Sequence, residues 1–241
     1  MTRAPSINSN FWGKRGGVKR PKVVAIVPAA GYGRRLGAGK KKPFVLLGGK
    51  PLVSYALKTL DGCKAIDGIV VAAKRPCIKR LKNIAKQAGI RKLIDVVAGG
   101  KTRFESVRNC MKSIGPTFDV VLIHDAARPL IDEDTIERSI NAAARFGASI
   151  AGLPESDTVK LADKGLFIKK TLDRNRIFRA QTPQAFRYEL IKKAYLRAGA
   201  GVTDDAGLVE AIGVRVKIVE GSFRNLKITT KEDLKIAEAL L

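Results

Sequence analysis

The stretch from Val23 to Phe44, VVAIVPAAGYGRRLGAGKKKPF, does most to constrain what this chain can fold into. Val23 to Val27 is a short unbroken apolar run, the pattern of a parallel strand buried on both faces. Pro28, Ala29 and Ala30 follow, then Gly31, Gly33, Gly37 and Gly39. Small residues let a ligand approach the backbone, and glycine lets the main chain aim its N–H groups at one point. Arg34, Arg35, Lys40, Lys41 and Lys42 fall within nine residues, and no Asp or Glu in the stretch opposes them. A strand, a glycine-rich turn and clustered cations make a cradle for a polyphosphate. The plainer alternative is a βα turn with a solvated basic flank.

Two common phosphate loops are excluded by spacing. The Walker pattern fails because Gly39-Lys40 is followed by Lys41 rather than Ser or Thr, and Arg34 stands where its first glycine belongs. The dinucleotide fingerprint fails because Gly31-Tyr32-Gly33 meets its third glycine one place late, at Gly37. What remains is A-A-G-x-G-x-R-x-G from Ala29 to Gly37, then K-x-F from Lys42 to Phe44. That order resembles the signature loop of the sugar-nucleotidyltransferase superfamily.

The rest of the chain alternates strands with helices. A strand at Ile69 to Ala73, a helix at Ile78 to Ala88 closed by Gly89, and a strand at Leu93 to Val97 lead into Gly99-Gly100. An earlier helix, opened by Pro51, runs to about Leu60. Next come a helix from about Arg103 to Ile114 and a strand from Val120 to Ile123, which delivers His124-Asp125-Ala126-Ala127-Arg128-Pro129. A helix starting at Asp132 or Asp134 and a strand from Ser149 to Leu153 complete an α/β pattern with a doubly wound, mostly parallel sheet. Between about residues 156 and 179 the rhythm breaks. Thr158 to Leu161 and Leu166 to Leu172 alternate like two strands around Asp163-Lys164-Gly165, a projecting hairpin or a sheet-edge excursion. Helices at 188–198 and 204–212, strands at Val214 to Val219 and Asn225 to Thr229, and a final helix capped by Thr229 and Glu232 follow.

Composition narrows the function. The 241 residues suit one α/β domain over 22–241 behind a flexible basic tail at 1–21. No apolar run reaches membrane-span length and the N-terminus lacks a secretory h-region, so a soluble cytoplasmic protein is expected. Cys63, Cys77 and Cys110 are scattered, with His124 the sole histidine, which argues against a disulfide framework or zinc site. The net charge is +24, and removing the six cations of residues 1–22 leaves +18. Aromatics are only 6% and no helix-turn-helix or stacking motif is present, so acidic small-molecule substrates explain the charge better than a specific nucleic acid.

Six blocks carry a more specific resemblance: the loop through Lys42, G-G-x-x-R-x-x-S-V at 99–107, H-D-A-A-R-P at 124–129, D-T-V-K at 157–160, D-R-N…Q-T-P-Q-A-F at 173–186, and T-D-D-A at 203–206 with N-L-K-I-T at 225–229. Their order over residues 23–241 resembles the 2-C-methyl-D-erythritol 4-phosphate cytidylyltransferases of the non-mevalonate isoprenoid pathway. The resemblance implies a Rossmann-like nucleotidyltransferase fold with a β-hairpin arm, a homodimer, and attack of methylerythritol phosphate on the α-phosphorus of CTP with pyrophosphate leaving. Such catalysis is mostly positioning and electrostatic stabilisation, needing cations, N–H donors and a divalent metal but no covalent nucleophile.

By the same resemblance, Arg35 and Lys42 stabilise the triphosphate and transition state, and Arg174 and Lys227 place the methylerythritol phosphate. Ala29, Ala30, Gly31 and Gly33 of the loop, with Gly100, Lys101, Ser106 and Ala126, hold the nucleotide. Arg128, Thr158, Thr182 and Thr203 line the second substrate's site. Asp125, at the carboxyl end of a buried strand, suits Mg²⁺, which keeps waters and needs few protein ligands; a helix cap or an ion pair with Arg128 is the structural alternative. His124 is expected to be packed rather than catalytic, since a phosphate monoester is already ionised near neutral pH. Two departures stand out: Lys101 replaces a frequent acid, and three lysines before Pro43-Phe44 leave Lys41 as an alternative to Lys42. A cytidylyltransferase acting on ribitol 5-phosphate is the nearest competing function.

Overall fold

The computed structural model describes residues 20–31, 42–197 and 203–241. Most of the basic tail, together with Gly33, Arg35 and Lys41, lies outside the described residues. Strand β1 (Val23–Pro28) occupies an inner position in a seven-stranded sheet. Its side chains are buried on both sides. Val23, Ala25 and Val27 join one apolar cluster and Val24 and Ile26 the other. An unbroken apolar run is the sequence such a strand requires.

After β1 a small ribbon, β2 (Leu46–Leu47) and β3 (Lys50–Pro51), precedes α1 (Leu52–Gly62). Pro51 therefore stands just ahead of the helix rather than at its first position. The chain continues through β4 (Gly68–Ala73), α2 (Ile78–Gln87), β5 (Leu93–Ala98), α3 (Arg103–Ser113), β6 (Val120–Ile123), α4 (Glu133–Phe146) and β7 (Ala148–Pro154). Asp132 caps α4, accepting the Thr135 N–H at 2.6 Å. Helices α1, α2 and α4 pack on one face of the sheet. On the other lie α3, α5 (Tyr188–Arg197) and α6 (Asp205–Glu210).

The sheet runs β11-β7-β10-β6-β1-β4-β5, where β10 spans Phe178–Arg187 and β11 Lys217–Glu220. Only β10 is antiparallel to its neighbours, pairing with both β6 and β7. The sequence reading placed no strand there. β10 sits inside the sheet between β7 and β6, and Gln181 to Phe186 are all buried. Three further expectations need correction. Asn225 to Thr229 forms no strand. The last helix, α7 (Lys231–Ala239), is capped by Thr230 with Asp233, one residue beyond the predicted pair. And β11 begins three residues after Val214.

The interrupting hairpin is present but shorter than expected: β8 (Lys160–Ala162) pairs antiparallel with β9 (Ile168–Thr171) and with nothing else among the described residues. Leu166 and Phe167 at its turn are 85% and 76% exposed.

The connections leave β1 toward β4 and β5, then return to β6 on the other side of β1. The carboxyl ends of β1 and β6 therefore flank a crevice where connections diverge, the usual ligand position in an open α/β sheet.

Candidate active site

A cleft opens at that crevice. From β1 it receives Ala29, Ala30 and Gly31; from the turn after the cationic run, Lys42; from the β5–α3 connection, Gly100, Lys101 and Thr102; from α3, Arg103 and Ser106; and from the end of β6, Asp125 and Ala126. Lys74, which follows β4, and Lys227 complete it. Among the described residues of this lining, Asp125 is the only acid.

The approach of strand end to helix depends on the two glycines. A Cβ on Gly99 would stand 2.4 Å from the Ala30 Cβ, and one on Gly100 2.2 Å from the Glu105 Cβ. Thr102 then caps α3, accepting the Glu105 N–H at 3.1 Å while the Glu105 carboxylate receives the Thr102 N–H. The Ser106 hydroxyl donates to the Thr102 carbonyl and accepts the Gly100 N–H. This cap fixes the turn that presents Arg103. Thr102→Ala is expected to destabilise the protein by ~1 kcal/mol, lowering Tm by ~2–4 °C in calorimetry. Thr102→Ser should restore it, and an unchanged alanine variant would contradict the assignment.

Asp125 is 7% exposed and held by two cations. Arg103 Nε donates to its Oδ1 at 3.0 Å, and Lys227 Nζ donates to its Oδ2 at 2.7 Å. Burial alone would raise this carboxyl, but the charges of Arg103 and Lys227 outweigh it and hold the group well below the usual carboxylate range. The ion pair is thus with Arg103 and Lys227 rather than Arg128. Arg128 instead donates from Nη1 to the Asn225 carbonyl at 2.7 Å.

His124 lies beneath the cleft, fully buried. Its Nε2 donates to the Arg128 carbonyl at 2.9 Å, so Nδ1 is left to accept from the Thr182 hydroxyl at 3.2 Å. That hydroxyl in turn accepts the Asp125 N–H at 3.1 Å. Burial pushes the imidazole pKa down to about 4, so it is neutral near pH 7. His124 orients the turn that carries Asp125.

The structure therefore gathers Ala29, Ala30, Gly31, Lys42, Gly100, Lys101, Ser106, Asp125, Ala126 and Lys227 around one cleft. Arg128 and Thr182 are buried below it. Thr158 and Arg174 sit on the exposed arm, Arg174 donating to the Ser156 carbonyl at 2.8 Å. Thr203 is exposed just ahead of α6. Sequence reasoning missed Lys74, Arg103 and Asp205. Arg103 and Asp205 stand in quoted blocks, as the arginine of 99–107 and the second aspartate of T-D-D-A. An unassigned cation and an unassigned acid in separate blocks were the available signal.

Residues 23–241 match the profile of the 2-C-methyl-D-erythritol 4-phosphate cytidylyltransferases. The chain belongs to this family. It is 42% identical over 225 residues to the 2-C-methyl-D-erythritol 4-phosphate cytidylyltransferase of Pelotomaculum thermopropionicum, covering 91% of this chain and 94% of the relative. The Syntrophotalea carbinolica cytidylyltransferase is 44% identical, with 91% and 96% covered. The crystal structure of 4-diphosphocytidyl-2C-methyl-D-erythritol synthase from Anaerococcus prevotii superposes with a TM-score of 0.82 at 32% identity, covering 91% of this chain and 96% of that one. The cytidylyltransferase fold expected from the sequence, a mostly parallel α/β sheet, is the fold observed. Among the described residues no helix is long and apolar enough to cross a membrane.

Proposed function

We propose that this protein transfers CMP from CTP to 2-C-methyl-D-erythritol 4-phosphate, giving 4-diphosphocytidyl-2-C-methyl-D-erythritol and pyrophosphate. One observation carries the proposal: an ionised carboxylate, Asp125, lies at the topological switch point in a cleft whose other charged residues, among those described, are cations. Transfer brings two anions together and builds charge on the transferring phosphoryl group and the leaving oxygen. Fixed cations around that point stabilise such charge without reorganising. Lys42 and Lys227 both line the cleft, and Arg35 joins them by resemblance. Ala29, Ala30, Gly31 and Gly33 of the loop, with Gly100, Lys101, Ser106 and Ala126, hold the nucleotide. Arg128, Thr158, Arg174, Thr182 and Thr203 serve the second substrate, directly or by supporting its site.

The donor set fits Mg²⁺ in one way. No cluster of three His, Cys, Asp or Glu exists among the described residues, but Mg²⁺ typically takes one or two carboxylates and completes its shell with substrate phosphates and water. Asp125 would hold it once Lys227, whose side chain is 43% exposed, releases Oδ2. When bound, the ion would neutralise phosphate charge. The enzyme is further proposed to act as a cytoplasmic homodimer, with the exposed arm as the contact.

Pyrophosphate release tests the reading. The purified protein is expected to turn over CTP only with methylerythritol phosphate and a divalent metal, and EDTA should stop it. Preference for ribitol 5-phosphate, equal use of ATP, or indifference to EDTA would overturn it.

A further inference from the structure

Two blocks that are distant in sequence meet behind the cleft. Gln184, on β10, accepts the Asp205 and Ala206 N–H groups on its Oε1, each at 3.1 Å, and donates from Nε2 to Asp204 Oδ2 at 2.8 Å. The start of α6 is thereby fixed to β10, an inner strand of the sheet. Its first residue, Asp205, is 1% exposed and is not part of the cleft lining. One carboxylate oxygen accepts the Tyr195 hydroxyl. The other faces Arg103 Nη2 at 2.7 Å, an ion pair without the alignment of a hydrogen bond. Tyr195 also stacks on Phe104, the neighbour of Arg103, with ring centroids 4.8 Å apart and planes 13° from parallel. Arg103 is thus gripped from behind by α5 and α6, while its Nε holds Asp125 in front.

We propose that Asp205 is a positioning residue for phosphoryl transfer, acting on Asp125 through the guanidinium fork of Arg103. This rests on the function proposed above. A buried carboxylate is costly unless paired, so a hydrophobic residue at 205 would tie α6 to the sheet more cheaply. What a hydrophobe cannot do is divide one guanidinium between two acids. The broad guanidinium faces both acids at once, Nε toward Asp125 and Nη2 toward Asp205, where a lysine ammonium would act as a point charge. With Asp205 opposing it, Arg103 keeps one orientation, and Asp125 keeps its place in the cleft. The four charges of Asp205, Arg103, Asp125 and Lys227 sum to zero, so the acid stays ionised without loading the cleft floor with extra positive charge.

The test compares Asp205→Asn, Tyr195→Phe and Arg103→Lys with the wild-type protein, measuring kcat and KM for CTP and for the acceptor, and folded content by circular dichroism. Asp205→Asn is expected to stay folded, keep both KM values within about threefold, and lose roughly 10–100-fold in kcat, as for a slight misplacement of a reacting group. Arg103→Lys should lose a similar factor although the charge is kept. Tyr195→Phe should show a smaller loss of the same kind. A kcat near wild type in folded Asp205→Asn, or a loss confined to KM, would overturn the proposal. If Asp205→Asn does not fold, Arg103→Lys decides: full kcat refutes the fork, and a selective kcat loss supports it. Wild-type inactivity with methylerythritol phosphate would instead count against the function, and the same comparison then runs with whichever polyol phosphate the wild type accepts. A wild type that accepts none overturns both.

Discussion

Asp125→Ala is expected to lower kcat by ~10²–10³-fold, the scale seen when one preorganised electrostatic group is lost from an active site. The substitution removes the only acid lining the cleft among the described residues and leaves Arg103 and Lys227 facing it. Two effects compete for the blame when activity falls. Breaking a fully buried ion pair by removing one partner costs ~3–5 kcal/mol, enough to threaten folding. Here the cost should be much smaller, because Lys227 is partly exposed and Arg103 retains Asp205. The variant should therefore be folded and nearly inactive. Asp125→Asn keeps the shape and should be almost as impaired, since charge is what the site needs. Steady-state pyrophosphate release beside a calorimetric scan separates the outcomes. Activity within threefold of wild type would remove Asp125 from the mechanism.

The second large effect concerns the arm. Leu166, Phe167 and Ile168 are three consecutive large apolar residues, 85%, 76% and 64% exposed, on a ribbon of two short strands. A two-stranded ribbon is marginal in water, and exposed apolar runs mark contact surfaces. If a second copy covers them, the contact is isologous and each arm both gives and receives. Phe167→Glu should then sediment as a 26.1 kDa monomer. Arg174, on the same arm, gives a stricter test. Arg174→Ala and Asp125→Ala should each be nearly inactive, yet subunit exchange should restore about a quarter of wild-type activity. Half the dimers would be mixed, and half of their sites would hold both residues. Dimers without rescue would place Arg174 in its own subunit's site. An active wild-type monomer would remove the arm from catalysis.

The division between what sequence determines and what structure decides follows the range of the interactions. β1 was legible because a central parallel strand buries every side chain, so Val23 to Val27 needs no partner to be recognised. Helix α4 was legible because Asp132 caps it locally. The loop's glycines and cations form an equally local pattern, although residues 32–41 lie outside the described residues. The Thr102 cap was equally local, and only its place inside a quoted block hid it. β10 was not legible: Gln181, Thr182 and Gln184 are polar yet buried, and their hydrogen bonds go to His124, Asp125, Asp204, Asp205, Ser222 and Asn225. A strand satisfied that way carries no alternating pattern. Asn225 to Thr229 failed in the opposite sense. Its apolar alternation is real, but Ile228 packs under β2 and α7, and its N–H goes to Ala127 rather than to a ladder. The sequence by itself thus determined the fold class and the acid at the end of β6. Only the tertiary structure decided which cations hold that acid, because Arg103 and Lys227 reach Asp125 from 22 residues before it and about a hundred after it, and side-chain pairing across such separations leaves no mark on local spacing.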